Sequence, residues 1–144
     1  MATPTMQKVR DVMTPDPLLL EDSSTVADAA RAMKGADVGP VPVIREDGTL
    51  CGIVTDRDIV VRVVAEDLDP KTTKIRDIAS TELHTLRPDD TVEDAVKLMR
   101  QHAIRRLPIV EADKPVGIVA IGDLARTQDP ASALADISDA PAND

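Results

Sequence analysis

Apolar positions along this chain follow two periods, helical and strand-like, and the same succession of periods occurs twice. Val26, Ala29, Ala30 and Met33 stand at i, i+3, i+4 and i+7, and Val92, Ala95, Val96 and Met99 repeat that spacing. Each set makes one apolar stripe on a helix, and its alanines allow close approach to a sheet. Thr25 and Thr91 precede the stripes, followed three residues later by Asp28 and Asp94, the pattern of an N-terminal cap. The short runs PLLL (17–20), VPVI (41–44), LHTL (83–86) and LPIV (107–110) predict strands. LCGIVT (50–55) and VGIVA (116–120) predict their hairpin partners, joined through REDGT and EADKP, where Asp47-Gly48 signals a turn. Pro42 and Pro108 donate nothing to a ladder and so mark an edge, a strand start or a bulge. DRDIVVRVVAE (56–66) predicts a second helix and GDLART (122–127) its shorter counterpart. The unit is β-α-β-β-α, twice, an α/β (α+β) chain.

The repetition extends to the residues themselves. VRDVMT (9–14) matches IRDIAS (75–80), STVADAARAM (24–33) matches DTVEDAVKLM (90–99), and VPVI matches LPIV, all at an offset of 66. GIVTDRDIV (52–60) matches GIVAIGDLA (117–125) at an offset of 65. The lost residue falls in the hairpin connector, where length changes are tolerated. Repeat one is assigned to 7–66, a polar connector to 67–74, repeat two to 75–127, and an acidic C-terminal tail to 128–144. That tail is expected to hold a short helix over 131–138 before a disordered end.

Composition narrows the picture. A chain of 144 residues suits one compact domain or two very small ones. Cys51 is the only cysteine, so no internal disulfide forms and nothing marks an oxidising compartment. With no Phe, Tyr or Trp, the core is aliphatic, and a bound ring would lie between aliphatic side chains. A formal net charge of −9 argues against a nucleic-acid surface, which needs clustered Lys and Arg. The N-terminus lacks the apolar core of a signal peptide, and no run approaches the ~18 apolar residues of a membrane span. A cytoplasmic protein without membrane contact is expected.

The tandem β-α-β-β-α unit, with LPIV and GIVTDRD in order, resembles the cystathionine-β-synthase (CBS) domain pair, or Bateman module, over residues 7–127. The wording of GIVTDRDIVVRVVAEDLDP is similar to stand-alone CBS pairs of the actinobacterial hypoxic-response type. The resemblance implies two repeats packed about a pseudo-twofold axis with ligand clefts between them. It also implies homodimers, adenosine-containing ligands, and regulation of a partner rather than catalysis.

The family's ligand motif is Gly, an apolar residue, any residue, Ser/Thr, two residues, Asp. Repeat one has it complete in Gly52, Ile53, Thr55 and Asp58. Unpaired N–H groups where a strand turns into a helix favour an anion. The Thr55 hydroxyl suits a phosphate or ribose oxygen, Asp58 suits ribose hydroxyls, and Gly52 would let a base approach the backbone. Thr55 and Asp58 equally suit a helix cap that serves no ligand. Repeat two reads Ala120 where the hydroxyl should be and keeps Asp123. In the family, the phosphate at one motif meets basic residues before the LPV strand of the other repeat. Arg105 and Arg106 stand there in repeat two, and Gly39 and Pro40 in repeat one. The resemblance therefore groups Thr55, Asp58, Arg105 and Arg106 in one competent cleft, with Ile53 among its ligand-binding residues; His84 stands where the family can border an adenine, and more readily suits a plain strand residue. Ala120, Asp123, Gly39 and Pro40 form a degraded cleft. The two arginines also suit surface pairing with acidic residues.

His84, His102 and Cys51 show no metal-ligand spacing, and no catalytic constellation is present. The expected function is sensing of an adenosyl compound (AMP, ADP, ATP, S-adenosylmethionine or NAD) in one cleft per chain. No cofactor is required, and regulation acts in trans on an unknown protein partner. The competing expectation is a structural interaction module with a vestigial nucleotide site.

Overall fold

A computed structural model describes residues 7–36 and 40–127. Along the chain the strands are β1 (Thr14–Pro15), β2 (Leu20–Glu21), β3 (Val41–Ile44), β4 (Leu50–Val54), β5 (Arg106–Glu111) and β6 (Lys114–Ala120). The helices are α1 (Val26–Ala36), α2 (Asp56–Ile59), α3 (Val92–His102) and α4 (Ile121–Thr127). The chain α2 begins continues as a π-helical turn over Val60–Val64, where four valines in five positions crowd an ordinary helical turn. Short 3-10 turns form at Val9–Asp11 and Ile75–Asp77. The expected 131–138 helix lies outside the described residues.

Two compact units result, and they differ from the two repeats. One contains the described residues up to Pro17 together with those from His84 onward; the other is Leu18–Leu83. The opening residues of each repeat thus fold onto the body of the other. Matching hydrogen bonds hold both segments. The Val9 N–H donates to the Asp90 carbonyl (2.8 Å), and the Ile75 N–H to the Ser24 carbonyl (2.8 Å). The Val92 N–H donates to the Gln7 carbonyl (2.8 Å), and the Val26 N–H to the Thr73 carbonyl (2.9 Å). Every residue in these pairs is matched by one 66 positions away.

In the unit Leu18–Leu83 the strand order is β2-β3-β4, with β2 parallel to β3 and β4 antiparallel. Ser80 bridges to Ile53 on the far side of β4. Ile53 uses its N–H and its carbonyl on Ser80 (2.9 and 2.8 Å). Pro42, opposite Ile53 in the ladder, is therefore not asked for a donor, and proline sits inside β3 without cost. The other unit has the order β1-β6-β5. Here β1, at Thr14↔Ile118, takes the place Ser80 has beside Ile53.

The expected strand at 83–86 contracts to one bridge, Leu86↔Ile109. A turn follows at once: the Asp90 N–H donates to the Arg87 carbonyl (3.0 Å), and Pro88 inside it has no donor. Only Leu20 and the following Glu21 are strand in the matching run. Between β3 and β4 the connector is Arg45–Thr49, closed by Gly48 at φ 89°. Between β5 and β6 it is only Ala112–Asp113, both at positive φ.

Each unit has its own aliphatic core. Leu20, Val26, Ala29, Met33, Val41, Val43, Val54, Val63, Ile75 and Ile78 form one. Val9, Leu86, Val92, Ala95, Met99, Leu107, Ile109, Val119, Ile121, Leu124 and Ala125 form the other. The helical stripes are narrower than their spacing suggests: Ala30 is exposed and Val96 only half-buried. No polar side chain is buried among the described residues.

Candidate functional site

The strand-to-helix junction after β4 is closed by a reciprocal cap. The Asp58 N–H donates to Thr55 Oγ1 (3.1 Å), and the Thr55 N–H donates to Asp58 Oδ2 (2.9 Å). The other carboxylate oxygen, Oδ1, lies 3.8 Å from Arg62 Nε. Arg62 in turn donates through Nη1 to the Ile78 carbonyl (3.1 Å), tying the π-helical turn to the segment that repeat two lends this unit. The Thr55 hydroxyl accepts in the cap, and its own proton is left as a donor. Ile53 stands two residues upstream, half-buried between Pro42 and Ser80.

Gly52 has a packing role of its own. A Cβ there would lie 2.9 Å from the Ser80 carbonyl oxygen and 3.3 Å from Ala79 Cβ. At Gly117 the Met13 side chain fills the same space. Both glycines make room for the segment exchanged between repeats, a requirement that holds with or without a bound base.

The junction after β6 has half of the cap. The Ala120 N–H donates to Asp123 Oδ2 (2.9 Å), and no hydroxyl answers it. Asp123 is thereby held in the helix-closing role that Asp58 has. The same caps appear on the long helices, through Thr25 with Asp28 and Thr91 with Asp94.

Thr55, Ile53 and Asp58 belong to the unit Leu18–Leu83, as does Pro40; Arg105, Arg106, His84, Ala120 and Asp123 belong to the other. Gly39 lies outside the described residues. Inside its unit, Arg106 opens β5 directly across from Ala120, and the Arg105 carbonyl accepts the Ile121 N–H (2.8 Å). The arginines are thus backbone neighbours of their own repeat's motif. His84 stacks on His102, ring centroids 3.6 Å apart and planes at 22°, the only ring contact among the described residues. Arg62, beside Asp58, was not singled out by the sequence; its i+4 spacing from Asp58 was the available signal.

A hollow of about 760 Å³ lies in the unit of Arg105, lined by Arg10, Arg87, Asp89, Asp90, Glu111 and Asp113 among others. None of the expected site residues lines it. Asp89 there is held below the usual carboxylate range, first by its hydrogen bond from Lys8 and then by the Arg10 charge. Burial pushes the Cys51 thiol up. Among the described residues, no three His, Cys, Asp or Glu side chains gather as metal ligands. No described helix is long and apolar enough to cross a membrane.

The family model described as CBS domain matches residues 9–65 and 75–129. The CBS domain-containing protein YhcV of Bacillus subtilis is 46% identical over 123 residues, 85% of this chain and 86% of that protein. Hypoxic response protein 1 of Mycobacterium tuberculosis is 31% identical over 121 residues, 84% of this chain and 85% of that one. A crystal structure of Hypoxic Response Protein I with two coordinated zinc ions superimposes with a TM-score of 0.78, covering 85% of this chain and all of that one. The CBS pair of protein MJ0100, crystallised with 5′-methylthioadenosine and S-adenosyl-L-methionine, shares the fold at a TM-score of 0.74 and 24% identity, covering 85% of this chain and 95% of that one.

Proposed function

Since the chain belongs to the CBS domain family, with a CBS domain in each half, we propose that it senses an adenosyl compound at the Thr55 junction and regulates a protein partner in trans, as a homodimer and without catalysis of its own. One observation carries the reading. The Thr55–Asp58 cap uses a lone pair of the hydroxyl and one carboxylate oxygen, so the Thr55 proton stays available to a phosphate or ribose oxygen. Ribose hydroxyls would then donate to Asp58 on the Arg62 side. At Ala120 the donor is missing altogether. Protein MJ0100, with the same fold, holds adenosyl ligands, which supports this class of compound.

In this reading Arg105 and Arg106 neutralise the anionic end of the ligand, each charge-assisted hydrogen bond contributing about 1.5–3 kcal/mol. The ladder position of Arg106 favours a second arrangement, in which the arginines hold an anion beside Ala120 and Asp123. Thr55→Ala and Arg106→Ala abolish one and the same binding event in the first arrangement. In the second they act on separate events, and their effects add.

Thermal unfolding with AMP, ADP, ATP, S-adenosylmethionine and NAD tests the proposal. A specific ligand at ~100 times its dissociation constant stabilises by about 2.7 kcal/mol. Asp58→Ala removes that gain and Asp123→Ala keeps it. If no compound shifts the transition, the chain reads instead as an interaction module with a vestigial site.

A further inference from the structure

The turns that precede α1 and α3 share one backbone and differ in one side chain that matters. The Arg10 N–H donates to the Pro88 carbonyl (3.2 Å), and its match at the offset of 66, the Arg76 N–H, donates to the Asp22 carbonyl (3.1 Å). Lys8 bridges Thr91 and Lys74 bridges Thr25, both antiparallel. The Asp90 N–H donates to the Arg87 carbonyl and the Ser24 N–H to the Glu21 carbonyl, both at 3.0 Å. Lys74 and Arg76 are therefore the residue types of Lys8 and Arg10, at the same places of the fold. The anion between them is not repeated. Lys8 (Nζ at 3.4 Å) and Arg10 both reach the Asp89 carboxylate. In the unit Leu18–Leu83 the residue in that place is Ser23.

Two cations thus stand around a hydroxyl position where their equivalents hold a carboxylate. Among the described residues, neither Lys74 nor Arg76 makes an ion pair or a side-chain hydrogen bond, and the carboxylate of Asp22, next to Ser23, pairs with neither. Ser23 is exposed in its turn, where a modifying enzyme can reach it; Arg76 is exposed and Lys74 half-buried. A phosphoryl group on Ser23 would supply nearly two negative charges and three strong acceptor oxygens, and such a group opposite paired cations orders the segment that carries them. The positive end of α1, which begins at Val26, favours the same charge.

We propose that Ser23 is a phosphorylation site whose phosphoryl group is held by Lys74 and Arg76 as the Asp89 carboxylate is held by Lys8 and Arg10. In the transfer, Ser23 Oγ attacks the terminal phosphorus of a nucleoside triphosphate bound to a separate serine/threonine protein kinase. The bond from that phosphorus to its bridging oxygen breaks, the nucleoside diphosphate leaves, and the hydroxyl proton passes to a carboxylate base of the kinase. Lys74 and Arg76 belong to the segment lent by repeat two, which runs on to Ser80 and its bridge with Ile53. Phosphorylation thereby fastens that segment to the turn before α1. The modification depends on no bound adenosyl compound.

Unfolding midpoints and phosphopeptide analysis of the full chain test it together. Ser23→Asp puts a carboxylate where repeat two has one and raises the midpoint by about 1–3 °C, the range of an exposed ion pair; Ser23→Ala does not. Phosphoserine incorporated in place of Ser23 raises it further. Both gains shrink in added salt and vanish when Lys74→Gln and Arg76→Gln are added. The chain isolated from its own growing and stationary cells carries a phosphoryl group on Ser23 that phosphatase removes. A midpoint that phosphoserine leaves unchanged, or a gain kept by the double glutamine variant, would overturn the role of the basic pair. A phosphoryl group on Ser24 instead, or on neither serine, would overturn the modification. So would a rise given to the unmodified chain by inorganic phosphate with none on Ser23, which would leave Lys74 and Arg76 to a free anion.

Discussion

Asp123 accepts the Ala120 N–H at 2.9 Å, the same bond, at the same length, that Asp58 accepts from Thr55. The aspartate retained in both copies closes a helix N-terminus whether or not a hydroxyl precedes it. What distinguishes the copies is the threonine. The carboxylate is part of the fold in both copies, and the hydroxyl is present in only one.

The separation of roles is measurable. Thr55→Ala and Thr91→Ala each remove a capping hydroxyl with the same geometry, 3.1 Å from the N–H it accepts. Each should lower stability by about 1 kcal/mol in chemical denaturation. Ligand-induced stabilisation should vanish only for Thr55→Ala. Equal retention in both variants would reduce Thr55 to a cap.

The two motif glycines should respond unequally to a methyl group. Gly52→Ala drives Cβ against the backbone oxygen of Ser80, which cannot yield without moving the exchanged segment. Its cost should reach about 1–3 kcal/mol. Gly117→Ala meets the flexible end of Met13, which can turn aside, so its denaturation midpoint should fall less. The reverse order would contradict the packing described.

Ile75 is read from the sequence as the start of repeat two, yet its side chain is fully buried in the core of Leu18–Leu83. Ile75→Ala should cost about 2–5 kcal/mol. Hydrogen exchange should show protection lost first in β3 and β4, with β5 and β6 following only on global unfolding. Loss confined to β5 and β6 would place Ile75 in the other core.

Acid should weaken the charge contact on the opposite exchanged segment. The folded-state pKa of Asp89 lies below its ordinary value because Lys8 and Arg10 face it. A lowered carboxylate pKa stabilises above the unfolded-state value and is lost as pH falls through the folded one. Thermal midpoints of the parent chain and Asp89→Asn should therefore differ slightly at neutral pH and converge below the carboxylate range, and added salt should shrink the difference. A constant gap at all pH values would assign the effect to something other than charge.

How far the sequence spoke depended on the distance between interacting residues. Helix caps, stripes and hairpins rest on residues three to seven apart, and Thr91–Asp94 or Pro108 within its strand could be read directly. The exchanged segments could not. Two residues of β1 and the single bridge at Ser80 leave no periodic signal, and their partners, Ile118 and Ile53, are far along the chain. For the same reason the packing of Gly52 against Ala79 and Ser80 was not legible. The cap formed by Thr55 and Asp58 was legible from their spacing. Ladder register, which leaves no local signal, adds that Arg106 lies across from Ala120.

Calorimetric titration of the full chain with the adenosyl compound that raises its unfolding midpoint most tests the central claim most directly. One binding event per chain, absent in Thr55→Ala and intact in Asp123→Ala, is the expected result. Two equivalent events per chain, or one that survives loss of the Thr55 hydroxyl, would contradict it.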